Sequence, residues 1–223
     1  MEQRKVWCRY CEPQYSRRRK PVLAVGNPSN SSRVGILSVD PKGEVDFLVE
    51  AGKLKRLLRT GWVKAGVPHP ESVADHSYRT ALIAMLFADL GGLDGGKMIR
   101  MALLHDLAEA EVGDLTPTQK EANPIWKLNE KKAVEHLTGF LPPDLAMRYE
   151  SIIEEYNKDA SEEAHLVHSA DKLEMLLQAV EYVSVVKDEE RLMRLRHVHF
   201  EGGFEAALEK EIKSRVSAKN SEA

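Results

Sequence analysis

The stretch "LLHDLAEAEVGD", Leu103 to Asp114, sets His105 and Asp106 side by side in an apolar, helix-prone run and adds Glu109, Glu111 and Asp114 behind them. Asp94 can cap this helix, Met98, Met101, Ala102, Leu104 and Ala108 give it a core-facing side, and "VGDLTP" breaks it. Adjacent helical positions point about 100° apart, so His105 and Asp106 cannot share one line of a face, but both can reach a point between their directions. A metal ion is such a point, provided that neighbouring helices supply more ligands.

Working outward, the chain reads as helix after helix. Val45, Leu48, Val49, Leu54, Leu57 and Leu58 recur at three- and four-residue spacing and predict a first amphipathic helix stopping near "RTGW". Ser72 is placed to cap a second helix from about Val73 to Leu90, closed by Gly91 and Gly92. Asn123 and Pro124 read as the cap and first turn of another over "PIWKLNEKKAVEHLTGF", and "PPDLAMRYESIIEEYNK" begins the next. Ser161 opens a long helix through "AHLVHSADKLEMLLQAVEYVSVV", and a last one runs from about Phe204 to Val216. With no alternating strands or Asn-Gly hairpins and only short connections, the expected fold class is all-α, a helical bundle over residues 43–219.

Composition narrows the function. The 223 residues, 43% hydrophobic and 30% charged, suit one globular domain with an appendage, and a net charge of −3 argues against a nucleic acid polymer as partner. No apolar run approaches the roughly 18 residues a membrane span needs. Cys8 and Cys11, the only cysteines, exclude a disulfide framework; their C-x-x-C spacing lacks a second pair for zinc and reads as chance. Residues 1–42 are expected to be a flexible basic extension, since Arg4, Lys5, Arg9, Arg17, Arg18, Arg19, Lys20 and Arg33 face only Glu2, Glu12 and Asp40. Such an acid-poor, Ser- and Pro-bearing leader resembles an organelle transit peptide. The expected location is the cytoplasm, or a plastid or mitochondrion if the leader acts in import.

Two more ionisable residues fall where burial is expected: His76 in "VADHS" and Asp171 in "SADKLEML". One unpaired polar group in a core costs on the order of a few kcal/mol, so four orphans would exceed a typical domain's stability margin. A shared cation answers for His76, His105, Asp106 and Asp171 together. Two imidazoles and two carboxylates suit manganese, cobalt or magnesium, and admit zinc or iron, without choosing among them.

The order H…HD…D on an all-helical chain resembles the HD-domain metal-dependent phosphohydrolases. More closely, "RTGWVKAGVPHPESVADHS", "LLHDLAEAEVGDLTP" and "ADKLEML" are similar to the HD-domain 5'-deoxynucleotidases, over about residues 44–215. The resemblance implies that His76, His105, Asp106 and Asp171 bind one divalent ion and that Glu109 and Asp114 are the acids needed for turnover. Glu109, four residues after His105, would share its helical face. Arg59 and Lys64, in the segment leading to the site, are candidates to grip phosphate. Trp62 matches the tryptophan that in bacterial relatives lines the deoxyribose pocket; those relatives carry an arginine directly before it, where this chain has Gly61.

The expected activity is hydrolysis of deoxyribonucleoside 5'-monophosphates by a homodimeric enzyme. The alternatives are an HD phosphohydrolase acting on a cyclic or signalling nucleotide, and a non-enzymatic interaction module whose helices the ion only staples. His168, one turn before Asp171, is expected in a supporting or solvated place. Arg79 is expected either to reach phosphate or to pair with a surface acid, Glu111 to be solvated, and Trp126 to lie in the core or an interface.

Overall fold

The structure is a computed structural model that describes residues 41–183, 185–186, 192 and 198–220, the last five by backbone alone. The leader up to residue 40, with Cys8 and Cys11, lies outside the described residues, as do His197 and, Leu192 apart, the charged run from Asp188 to Arg194. The described chain is all-α: α1 (Pro41–Ala51), a 3₁₀ turn (Gly52–Lys55), α2 (Thr60–Lys64), α3 (Val73–Gly91), α4 (Gly95–Leu104), α5 (Glu109–Val112), α6 (Pro117–Ala122), α7 (Trp126–Thr138), α8 (Pro143–Asn157), α9 (Glu162–Tyr182) and α10 (Gly203–Asn220). No strand occurs among the described residues, and none of their helices is long and apolar enough to cross a membrane.

Local chemistry accounts for most of the boundaries. Ser72 accepts the Asp75 N–H while Asp75 accepts the Ser72 N–H, a reciprocal cap that starts α3. Gly92, at φ 71°, ends it in the left-handed conformation that costs glycine least. Asp94 caps α4 and Ser161 caps α9 through side-chain oxygens, as their positions predict.

Other boundaries depart from expectation. The first helix stops at Ala51 before Gly52, and α1 turns Phe47 and Ala51 to the core while Val45, Leu48 and Val49 face outward. Pro124 does not begin a helix: α7 starts at Trp126, after Asn123 has used its side chain on the Ile125 N–H. The short helix α6, held by a reciprocal Thr116–Gln119 cap, has no counterpart in the sequence reading. The long helix ends at Tyr182, short of the expected Val186.

The central core lies between α3, α4, α8 and α9, where Ala84, Met98, Met101, Val167, Ala170 and Leu173 are buried together. An isolated antiparallel bridge between Leu58 and Ser72, with the Arg59 N–H on the Glu71 carbonyl and the Val73 N–H on the Leu57 carbonyl, ties the segment before α2 to the start of α3. It therefore delivers Arg59 and Trp62 to the same end of the core as His76.

Replacing Ser72 removes one half of the cap that starts α3. Ser72→Ala is expected to cost about 1 kcal/mol and to lower the melting temperature by a few degrees, read by circular dichroism, with urea denaturation giving the free energy.

Candidate active site

The helix that begins at Asp94 does not run on to Ala108. It ends at Leu104, and His105 to Ala108 form a tight turn before α5. There the Leu107, Glu109 and Ala110 N–H groups bond to carbonyls three residues back, on Leu104, Asp106 and Leu107. Three-residue bonding brings side chains at i and i+3 into line, so Glu109 aligns with Asp106 rather than stacking one α-turn past His105. Gly113, at φ 80° and ψ 162°, then takes a conformation essentially reserved for glycine and turns the chain toward Asp114.

Three of the four proposed ligands meet, and Asp106 stands beside the two imidazoles. His76 from α3, His105 from the end of α4 and Asp171 from α9 each offer one ligand atom, all within 4.8 Å of one another. Asp106 Oδ2 lies 3.2 Å from His105 Nε2 and 3.8 Å from His76 Nε2. Each imidazole fixes its other nitrogen on an acceptor: His105 Nδ1 on the Ala102 carbonyl at 2.8 Å, His76 Nδ1 on Glu174 at 2.5 Å. Both Nε2 atoms are buried and make no hydrogen bond. His76 Nε2 stands 3.1 Å from Asp171 Oδ1, close enough for one ion to be shared between them. Two buried nitrogen lone pairs and two carboxylates so converged fit a divalent cation.

Charge surrounds this point unevenly. Burial would raise Asp106, but His105, Arg59 and His76 hold it well below the usual carboxylate range. Burial likewise opposes ionisation of Asp171, and His76 and His105 outweigh it. Glu109 goes the other way: burial, then the neighbouring Asp106 and Asp114 carboxylates, push it up to about 9, and its Oε2 has no hydrogen-bond partner. Burial alone would lower His76, but the Asp171 and Glu174 carboxylates on its two nitrogens outweigh that and lift it to about 10.

Arg59 sits among these acids. Its Nη1 is 3.2 Å from Asp106 Oδ2, 3.2 Å from Asp114 Oδ1 and 3.9 Å from Glu109 Oε2. Asp114 also accepts the Thr60 N–H, and the Thr60 hydroxyl donates to the Asp114 carbonyl at 2.7 Å, so α2 and the loop after α5 are laced together. A β-carbon at Gly61 would meet nothing within 4 Å, so the arginine absent there leaves open space, and Arg59 reaches the acids from two residues earlier.

Trp62 is held: its Nε1–H donates to Glu71 at 2.8 Å and its ring meets Tyr182 edge-on. It lines a cleft of about 1510 Å³ that also opens onto His105, Asp106, Glu109, Asp114 and Asp171. Lys64 lines the same cleft but stays at its rim, bonded to Thr116 and Gln119 at the start of α6, and does not join the acids. Trp126 is neither core nor hidden; half-buried, it lines the cleft opposite with the Lys120 ammonium 4.7 Å from its ring centre.

Several residues were missed. Tyr156 is buried, its ring stacked on His168 and edge-on to His105, while His168 Nε2 bonds the Tyr156 carbonyl; His168 is thus a support for the wall and no part of the ligand group. Glu174 is wholly buried on His76 and Arg79. Its sequence signal was present: an acid three residues after Asp171, among Leu173, Leu176 and Leu177. Arg79 pairs with Glu174 and Glu181, and Glu111 pairs with His136.

The chain belongs to the HD-domain family, whose model, described as "HD domain", matches residues 51–213. A Xenopus laevis protein named 5'-deoxynucleotidase HDDC2 is 42% identical over 158 residues, covering 71% of this chain and 78% of its own length. The Saccharomyces cerevisiae 5'-deoxynucleotidase YGK1 is 36% identical, over 64% of this chain and 67% of its own. Among solved structures, a conserved hypothetical protein from Pyrococcus furiosus matches with a TM-score of 0.59 at 37% identity, covering 78% of this chain and 99% of that one. A predicted metal-dependent phosphohydrolase from Magnetospirillum magnetotacticum matches with a TM-score of 0.58 at 26% identity, over 79% and 90%.

The two raised groups fix the sign of a pH dependence in the metal-free protein. Unfolded, Glu109 ionises near 4.5, whereas folded it keeps its proton up to about 9, so rising pH favours the unfolded chain across that window. His76 adds stability that is complete below its unfolded value of 6.5 and is lost as pH rises through about 10. Chelator-treated protein should therefore melt lower at about pH 9 than at about pH 6, and Glu109→Gln should flatten the slope. A flat or rising wild-type profile in scanning calorimetry would contradict this.

Proposed function

We propose that this chain is a metal-dependent 5'-deoxynucleotidase that hydrolyses deoxyribonucleoside 5'-monophosphates to the deoxyribonucleoside and phosphate. The observation that carries the reading is the pair of buried, partnerless Nε2 atoms of His76 and His105, aimed with Asp106 and Asp171 at one point beside Glu109, Asp114 and Arg59. Relatives named 5'-deoxynucleotidase in vertebrates, Dictyostelium discoideum and two yeasts support it.

A bound divalent cation supplies charge neutralisation at the phosphoryl oxygens and lowers the pKa of water. The donor set suits manganese, cobalt or magnesium. Glu109 lines the cleft beside the cluster, and its Oε2, which makes no hydrogen bond, is the atom placed to exchange a proton with a reacting oxygen. Asp114 has both oxygens engaged, on Thr60 and Arg59, so it aims the guanidinium, whose charge faces the phosphate. Trp62, fixed by Glu71, forms the rigid wall against which a 2'-hydroxyl would crowd, and Lys64 adds positive charge at the rim.

The active form is a homodimer. Tyr78, Leu82, Met85, Leu86 and Leu90 stay exposed at helical spacing along α3, a side of the helix that suits a second copy of itself.

Purified protein with manganese, cobalt or magnesium should release phosphate from deoxyribonucleoside 5'-monophosphates faster than from ribonucleotides or phosphodiesters. Glu109→Gln and Asp114→Asn should stay folded and bind manganese but lose at least about 100-fold in kcat. Full activity in His105→Ala, or preference for a cyclic nucleotide, would overturn the reading. Sedimentation should give a dimer, and Leu82→Glu with Leu86→Glu a monomer.

A further inference from the structure

Glu174 is a carboxylate with no solvent exposure at all, three residues after Asp171 on α9. A side chain of that kind is expensive to bury unless every lone pair is answered. Its Oε2 takes the Nδ1–H of His76 at 2.5 Å, and its Oε1 lies 3.0 Å from Arg79 Nε and 2.8 Å from Arg79 Nη2. Arg79 is in turn fully committed: Nη1 reaches both oxygens of Glu181 at 2.9 Å, and Nη2 reaches Gln178 at 2.5 Å. Every guanidinium nitrogen of Arg79 is thus hydrogen-bonded to Glu174, Gln178 or Glu181, which turns the group away from a phosphate at the metal position.

The geometry has a simple register. His76 and Arg79 are three apart on α3, and Asp171 and Glu174 are three apart on α9, so each pair occupies one face of its helix. The first residues of the two pairs meet at the proposed metal position, and the second residues meet behind it. An imidazole donating Nδ1–H presents a lone pair at Nε2, which is the nitrogen that points at Asp171 and Asp106.

We infer that Glu174 is a positioning residue that fixes the tautomer and direction of His76 for a cation, and that Arg79 holds Glu174 in place, neither one touching substrate. This rests on reading His76 as a metal ligand, though not on the identity of the substrate. Glu71, His76 and Glu174 also bring ligand atoms within 4.8 Å of one another, which offers the rival arrangement of a second cation on the Nδ1 side. The Arg79 guanidinium already supplies positive charge to Glu174, and His76 Nδ1 is already engaged there, so a single cation per chain is expected.

The test is manganese binding by the full, chelator-stripped chain, followed by electron paramagnetic resonance, with melting temperatures taken with and without the ion. Wild type should bind one manganese. Glu174→Gln should bind it about 10- to 100-fold more weakly and show a smaller metal-induced rise in melting temperature than wild type, each protein being compared with its own metal-free melting. Arg79→Gln should weaken binding in the same direction, and Arg79→Lys should recover most of it; these two variants decide the matter if Glu174→Gln does not fold. Wild-type affinity in Glu174→Gln, an undiminished metal-induced rise, or two manganese ions per wild-type chain would overturn the inference. Wild type that binds one manganese but releases no phosphate would defeat the deoxynucleotidase reading and leave this one standing.

Discussion

Negative charge crowded into a dry place is the constraint from which the rest of this structure follows. Asp106, Glu109, Asp114 and Asp171 crowd together at the end of a core made of alanine, methionine and leucine, where the cleft floor screens them less than open water would. Isolated carboxylates in such a medium are unaffordable, and the chain meets the problem in three ways at once. Arg59 shares its guanidinium between Asp106 and Asp114, Glu109 keeps its proton, and the two imidazoles stand against Asp106 and Asp171. The third arrangement leaves both buried Nε2 atoms without a hydrogen bond, and a cation shared among these side chains would satisfy them.

The turn at His105–Ala108 makes that crowding geometrically feasible. A continuous α-helix would stack Glu109 one turn past His105, with Asp106 about 100° to one side of His105. Three-residue bonding instead lines Asp106 up with Glu109 and leaves His105 at the helix end, free to bond the Ala102 carbonyl. Glycine at 113 then returns the chain to the cluster, so the peptide that carries Asp114 is bonded to Thr60. Apolar anchors on both sides of the turn, Leu104 and Leu107, keep it pressed on α7 and α8 residues such as Leu137 and Ile153.

Legibility in the sequence followed the range of the interactions. Caps at Ser72, Asp94 and Ser161 and the stop at Gly92 are decided within four residues, and they were readable. The juxtaposition of His76, His105 and Asp171, with Asp106 beside them, was readable because polar residues stood in apolar helical contexts and the motif joined them. The tight turn was not, since leucine and alanine around it favour continuing the helix and only the surrounding packing bends it. The start of α7 was misplaced because Asn123 serves a local turn rather than the helix. Glu174 escaped notice, and Arg79 was read only as a phosphate contact or the partner of a surface acid, for another reason: each looks like an ordinary charge on a helix until the opposite helix is laid against it. Their register across α3 and α9 is a tertiary fact, and one sequence contains it only as two unremarked spacings of three.

The cleft has two walls of different character, and this divides the work. On one side α3, α4 and α9 pack through wholly buried Met98, Met101, Val167, Ala170 and Leu176, and the ligand atoms project from that rigid block. Opposite lie α6 and the start of α7, where no residue of α6 is buried and Trp126 and Lys120 are held by surface contacts. Geometry at a reacting phosphorus has to hold within a fraction of an ångström, which only close-packed elements can guarantee. Recognition of the more distant parts of a substrate tolerates looser walls. The side chains nearest the chemistry are thus seated where packing is densest, while the outer wall can change its side chains without disturbing the imidazoles and acids beneath.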